Sequence, residues 1–68
     1  MSTIHITLND RPLELPAGAS LADAARASGV QPPFAAAVNL QFVPRTQYAN
    51  TPLNTGDQVE LISPVTGG

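Results

Sequence analysis

Asn54-Thr55-Gly56-Asp57-Gln58-Val59-Glu60-Leu61-Ile62-Ser63-Pro64-Val65-Thr66-Gly67-Gly68 holds a turn, a strand and a tail in one run. Asn54 to Asp57 combines turn-forming residue types, and glycine supplies the positive φ that a tight turn demands. Val59, Leu61 and Ser63 then alternate with Glu60 and Ile62, the period of two of a strand buried on one side. Pro64 lacks a backbone N–H and ends regular pairing. The residues from Pro64 to Gly68 span up to about 17 Å when extended. They end in two glycines, which leave the final carboxylate unshielded and free to enter a narrow cleft. At average glycine usage such a pair arises in roughly 0.5% of chains. It suits a carboxylate that a partner enzyme activates; a frayed terminus or a cloning remnant is the plain alternative.

Working back from this strand, residues 45–52 read as irregular crossing structure with one helical turn at residues 46–49. Phe42-Val43 is a short strand stopped by Pro44, and Asn39-Leu40-Gln41 turns the chain after a strand at residues 34–38. Ser20 opens a helix of about ten residues. Its hydroxyl caps the first free amides, and Asp23 favours the positive end of the helix dipole. Leu21, Ala24, Ala25 and Ser28 share one helical face, with Val30 just beyond it. Gly29 ends the helix and Pro32-Pro33 forbids its continuation. At the start of the chain, Ile4, Ile6 and Leu8 alternate with Thr3, His5 and Thr7. Asn9-Asp10 then turns into a second strand around Leu13 and Leu15, which Pro12 and Pro16 confine to a short length.

The order is hairpin, helix, two short strands, crossing segment, last strand. It predicts an α+β fold with a mixed sheet of four to five strands on one main helix. The β-grasp arrangement of ubiquitin-like proteins matches this order, with the last strand central and parallel to the first. Residues 1–63 form the β-grasp domain, and residues 64–68 an extended, flexible C-terminal tail.

Composition narrows the function. Sixty-eight residues make one small domain. With no cysteine there is no disulfide, no thiolate metal site and no cysteine nucleophile, and cytoplasm is the default compartment. No apolar run approaches the roughly 20 residues of a membrane span, and the start lacks the regions of a signal peptide. Three arginines against five acids give a net charge of -2, a poor footprint for nucleic acid. The absence of lysine removes Schiff-base and P-loop chemistry. It also removes any side-chain amine able to capture an activated C-terminus. His5, the single histidine, makes neither a metal site nor a catalytic pair.

Residues 37–45 read Ala37-Val38-Asn39-Leu40-Gln41-Phe42-Val43-Pro44-Arg45, followed by Tyr48, by Gly56-Asp57-Gln58-Val59-Glu60-Leu61 and by Gly67-Gly68. Together with the short length and the opening strands around Asn9-Asp10, they resemble the ThiS family of thiamine-biosynthesis sulfur carriers, over essentially the whole chain. Tyr48 stands where that family often carries an aromatic residue. The Val-Pro-Arg and Gly-Asp segments are weak signals singly; their order and spacing, ending in Gly-Gly, make a fairly specific combination.

The resemblance implies a protein substrate rather than an enzyme. An adenylating, E1-like partner uses ATP and magnesium to convert the Gly68 carboxylate into an acyl-adenylate, and the carrier binds no cofactor itself. Sulfur from a donor such as a cysteine desulfurase replaces AMP, and a thiazole synthase takes it from the resulting thiocarboxylate. Gly68 is then the site of covalent modification, and Gly67 gives access to it. Apolar Ile62 and Val65 beside the tail suit docking onto these enzymes, with Arg45 and Glu60 as further candidate interface residues. Asp57 and Glu60 suit either a basic patch on a partner or plain solvation. The alternatives are a carrier for another pathway and a non-covalent β-grasp binding module. Carriers of the first kind include the small subunit of molybdopterin synthase, which is usually longer, and those of cysteine or methionine biosynthesis.

Overall fold

The structure is a computed structural model and describes residues 2–63. Its elements are β1 (Thr3–Leu8), β2 (Arg11–Pro16), α1 (Leu21–Ser28), β3 (Ala35–Val38), β4 (Gln41–Val43), a 3₁₀ helix (Arg45–Asn50) and β5 (Gln58–Ile62). They form one five-stranded sheet of order β2-β1-β5-β3-β4. β5 is central, parallel to β1 and antiparallel to β3. This is the β-grasp arrangement that the element order predicts. The expected tail, with Val65, Gly67 and Gly68, lies outside the described residues.

Two antiparallel hairpins flank β5, β1–β2 on one side and β3–β4 on the other. Each turns through two residues at positive φ: Asn9 (51°) and Asp10 (68°), then Asn39 (51°) and Leu40 (70°). Such a turn matches the right-handed twist of the strands it joins. β2 is longer than the sequence suggests, because it includes both Pro12 and Pro16. Pro12 lies opposite Thr7 and Pro16 opposite Thr3. Counting outward from the two-residue turn, these are non-hydrogen-bonded pairs, so each proline points its missing N–H at the free edge. Edge position is what makes the prolines harmless.

α1 fills the interval between two caps. Ser20 and Asp23 form a reciprocal capping box: Ser20 Oγ accepts from the Asp23 N–H at 3.3 Å, and Asp23 Oδ2 accepts from the Ser20 N–H at 2.8 Å. Gly29 ends the helix at φ 77°. The eight residues between are fewer than the ten expected from sequence. The crossing segment satisfies the helix start: the Leu21 N–H donates to Thr51 O at 2.8 Å, and the Leu53 N–H to Ala19 O at 2.9 Å.

One face of the sheet packs on α1. The core comprises Ile6, Leu15, Ala19, Leu21, Ala24, Ala25, Ala36, Leu53, Val59 and Leu61. Leu21 is fully buried, and burying such a side chain stabilises by about 2 kcal/mol. Ala24, Ala25 and Ala36 let helix and sheet approach closely. Tyr48 packs against this core, stacks on Phe34 at 5.6 Å between ring centroids, and donates its hydroxyl to Phe34 O at 3.2 Å. Tyr48 is thus a satellite of the core.

Candidate functional surface at the end of β5

Alternation along β5 splits its side chains cleanly. Val59 and Leu61 are buried, whereas Gln58, Glu60 and Ile62 are exposed on the opposite face. On that outer face Ile62 lies opposite Ala35, and Glu60 opposite Ala37, which in turn faces Phe42. Ile62 is 60% exposed and Phe42 70% exposed. The small side chains of Ala35 and Ala37 between them leave a low apolar floor. The predicted exposure of Ile62 and Glu60 is therefore found, with Phe42 as an added member.

Phe42 was legible from alternation alone, since Val43 faces the core and its neighbour must face away. Leu40 is a different case. It is 83% exposed and sits at positive φ, where an L-residue with a bulky side chain is strained by about 1 kcal/mol. Nothing in the fold requires leucine there.

The other half of the outer face is polar. β1 presents Thr3, His5 and Thr7, and β2 presents Glu14 opposite His5. His5 acts through its backbone, its N–H donating to Thr55 Oγ1 at 3.1 Å.

Arg45 begins the 3₁₀ helix directly after Pro44. Val43 lies opposite Ala36 and Ile62 opposite Ala35, so Arg45 emerges at the end of the sheet where β5 leaves. There it lines a shallow concavity of about 360 Å³ with Pro32, Pro33, Phe34 and Tyr48. Among the described residues the ion pair is Asp23–Arg26 at 3.3 Å, which leaves Arg45 and Glu60 without an ionic partner there. Asp57 is different: Oδ2 accepts from the Asn54 N–H at 2.8 Å and Oδ1 from Asn39 Nδ2 at 3.1 Å. Its carboxylate builds the turn before β5.

Asn9 and Asn39 extend the ladders on β5 with their side chains. Asn39 Oδ1 accepts from the Gln58 N–H at 2.9 Å, while its own backbone N–H donates to Gln58 O at 2.7 Å. Asn9 Oδ1 accepts from the Leu61 N–H at 3.0 Å and Asn9 Nδ2 donates to Leu61 O at 3.2 Å. One asparagine holds the start of β5 and the other holds it near its end. Sequence reasoning read both residues only as turn formers.

The capping box also perturbs a titration. Hydrogen bonds from the Ser20 backbone and hydroxyl hold the Asp23 carboxyl below its usual range, with a smaller contribution from the Arg26 charge. Among the described residues no three metal-ligating side chains gather, and no helix is long and apolar enough to cross a membrane.

A search of curated protein sequences finds no match. Among solved structures, the chain is similar to the thiamine biosynthesis protein ThiS from Geobacter metallireducens, with a TM-score of 0.78 at 20% identity. The similarity covers 96% of this chain and 100% of that one, and at this identity it speaks for the fold. The family model for ThiS matches residues 4–68, which takes in every strand but the first residue of β1 and the candidate surface built above. The chain belongs to the ThiS family.

Proposed function

We propose that this chain is a sulfur carrier for the thiazole ring of thiamine, modified at the carboxylate of Gly68. Family membership supports a carrier role in thiamine biosynthesis. The observation that carries the reading further is the course of β5. This central strand is bonded on both sides and ends at Ile62, beside an apolar patch of Phe42, Ala35 and Ala37. In sequence, only Ser63 separates it from residues 64–68.

A carboxylate is a poor electrophile, and adenylation gives it a leaving group. A Gly68 carboxylate oxygen attacks the α-phosphorus of ATP on an adenylating enzyme, and magnesium pyrophosphate departs. The terminal sulfur of a persulfide, carried by a donor such as a cysteine desulfurase, attacks the acyl carbon; the C–O bond breaks and AMP leaves with the electron pair. A thiol reductant then cleaves the S–S bond of the resulting acyl disulfide and is itself oxidised to a disulfide. A thiocarboxylate remains for a thiazole synthase to consume; free sulfide gives the same thiocarboxylate directly. Tethering raises the effective concentration of sulfur at its acceptor. The carrier contributes presentation: Gly67 keeps the approach unhindered, and the Ile62–Phe42 patch, with Glu60 beside it, docks the catalysts; Val65 and Arg45 are further candidate contacts. Cytoplasmic working conditions go with this chemistry.

The test is intact-mass measurement after incubation with a cognate adenylating enzyme, ATP, magnesium and sulfide. The expected gain is the mass difference between sulfur and oxygen, and deleting Gly68 abolishes it with the fold intact. A gain that survives the deletion would sink the assignment of the site, and an unchanged wild-type mass would favour a non-covalent binding module.

A further inference from the structure

We propose that Asn9 is a positioning residue for the modification of Gly68, acting by holding the end of β5. This rests on the carrier reading above. The backbone ladder between β1 and β5 stops early: Leu8 is the last β1 residue in register, opposite Val59, and the Asn9 N–H makes a final bond to Val59 O at 2.9 Å. There the chain turns away into the first hairpin. Leu61 points its N–H and C=O toward β1, where no strand remains to receive them. The Asn9 carboxamide takes that place, bonding both groups like one more rung of the ladder. Its atoms are partly buried, so water competes poorly for the same bonds.

The consequence falls on the residues beyond Leu61. On the β3 side the pairing continues to Ile62 opposite Ala35. On the β1 side, among the described residues, the Asn9 side chain makes the last bond to β5. Without it the end of β5 is held from one side and frays more readily. Each residue released from the strand lengthens the tether to Gly68 and widens the range of positions its carboxylate samples. Attack on ATP requires the carboxylate close to the α-phosphorus and in line, and small displacements there are costly in rate. Asn39 performs the same bonding at the start of β5, remote from this end, and so supplies an internal control.

The experiment measures pyrophosphate release by a cognate adenylating enzyme with ATP and magnesium, at varied concentrations of the whole chain. Asn9→Gly removes the carboxamide, while glycine adopts the φ of 51° freely, so the turn survives. The expected result is a fall in kcat on the order of tenfold with KM unchanged, and faster hydrogen exchange at the Leu61 amide. Asn39→Gly keeps the wild-type kcat. Asn9→Asp, which retains an acceptor for the Leu61 N–H but sets a charge against Leu61 O, falls between wild type and Asn9→Gly. Denaturant unfolding checks that each variant is folded at the assay temperature. An Asn9→Gly variant with wild-type kcat overturns the proposal, as does an equal loss in Asn39→Gly, which would make the effect one of general stability. A rise in KM alone also overturns it. If the wild-type chain itself is not adenylated, the carrier reading fails and this proposal with it. A modified wild type beside an unimpaired Asn9→Gly refutes only the role of Asn9.

Discussion

The two hairpins that flank β5 are built on the same plan and carry different outer faces. Both turn through an asparagine followed by a second residue at positive φ, and both send the asparagine side chain onto β5. In the first hairpin every choice favours the fold. Asp10 tolerates its backbone conformation, Ile6 and Leu15 are buried, and the outer face carries threonines, His5 and Glu14. The second hairpin spends stability instead. Leu40 is strained and exposed, and Phe42 turns its ring to water. In the function proposed above, one architecture serves as scaffold on one side of a strand and as contact surface on the other.

The largest expected effect separates the two by stability. Ile6→Ala, at a site 2% exposed, should cost about 2–5 kcal/mol in denaturant unfolding, enough to unfold much of so small a domain. Phe42→Ala should change stability by less than about 0.5 kcal/mol. If Phe42→Ala proved as damaging as Ile6→Ala, the contact role of the second hairpin would be lost.

Function should reverse that ranking. Phe42→Ser and Ile62→Ser are each expected to raise the KM for the carrier with its adenylating enzyme about tenfold, at little cost to the fold. Equal KM values in wild type and both variants would move the docking surface elsewhere.

A smaller effect probes the strained turn. Leu40→Gly should stabilise by about 1 kcal/mol, because glycine relieves the positive φ, while weakening engagement of the enzyme. In the first hairpin, Asp10→Leu should destabilise by about the same amount. A stable Asp10→Leu variant would show that the turns differ in something other than their second residue.

The smallest effect lies in the helix between the hairpins. Asp23 has its pKa lowered by the capping box. Its contribution is therefore present above the unfolded carboxylate pKa of about 3.9 and is lost as pH falls through the lower folded value. The stability gap between wild type and Asp23→Asn should close in acid, measured by thermal unfolding from neutral pH down to pH values of about 2–3. Ser20→Ala, which removes the other half of the box, should cost about 1 kcal/mol at neutral pH.

Much of this molecule is legible locally. The period of two in Ile4-Ile6-Leu8 and Val59-Leu61, the cap at Ser20 and the stop at Gly29 each depend on neighbours in sequence, and each appears in the structure as expected. The features that escaped depend on strand order. Pro12 and Pro16 look like strand breakers until β2 is known to be an edge, and only then do their missing N–H groups face outward. Asn9 and Asn39 look like turn residues until β5 is threaded between the hairpins. The partnership of Asn9 with Leu61 joins residues 52 apart, which no local pattern can reveal. Exposure of Ile62 was readable from alternation; its company with Phe42 needed the register of three strands.

The blunted edges of the sheet bear on how the molecule behaves in a crowd. On β2, Pro12 and Pro16 leave only the Glu14 N–H facing outward between them. At the other margin, β4 is three residues long and is followed at once by Pro44. Neither margin offers the run of free donors along which identical sheets add to one another. An apolar patch beside such margins can attract a partner without offering that partner, or a second copy, a template for strand addition.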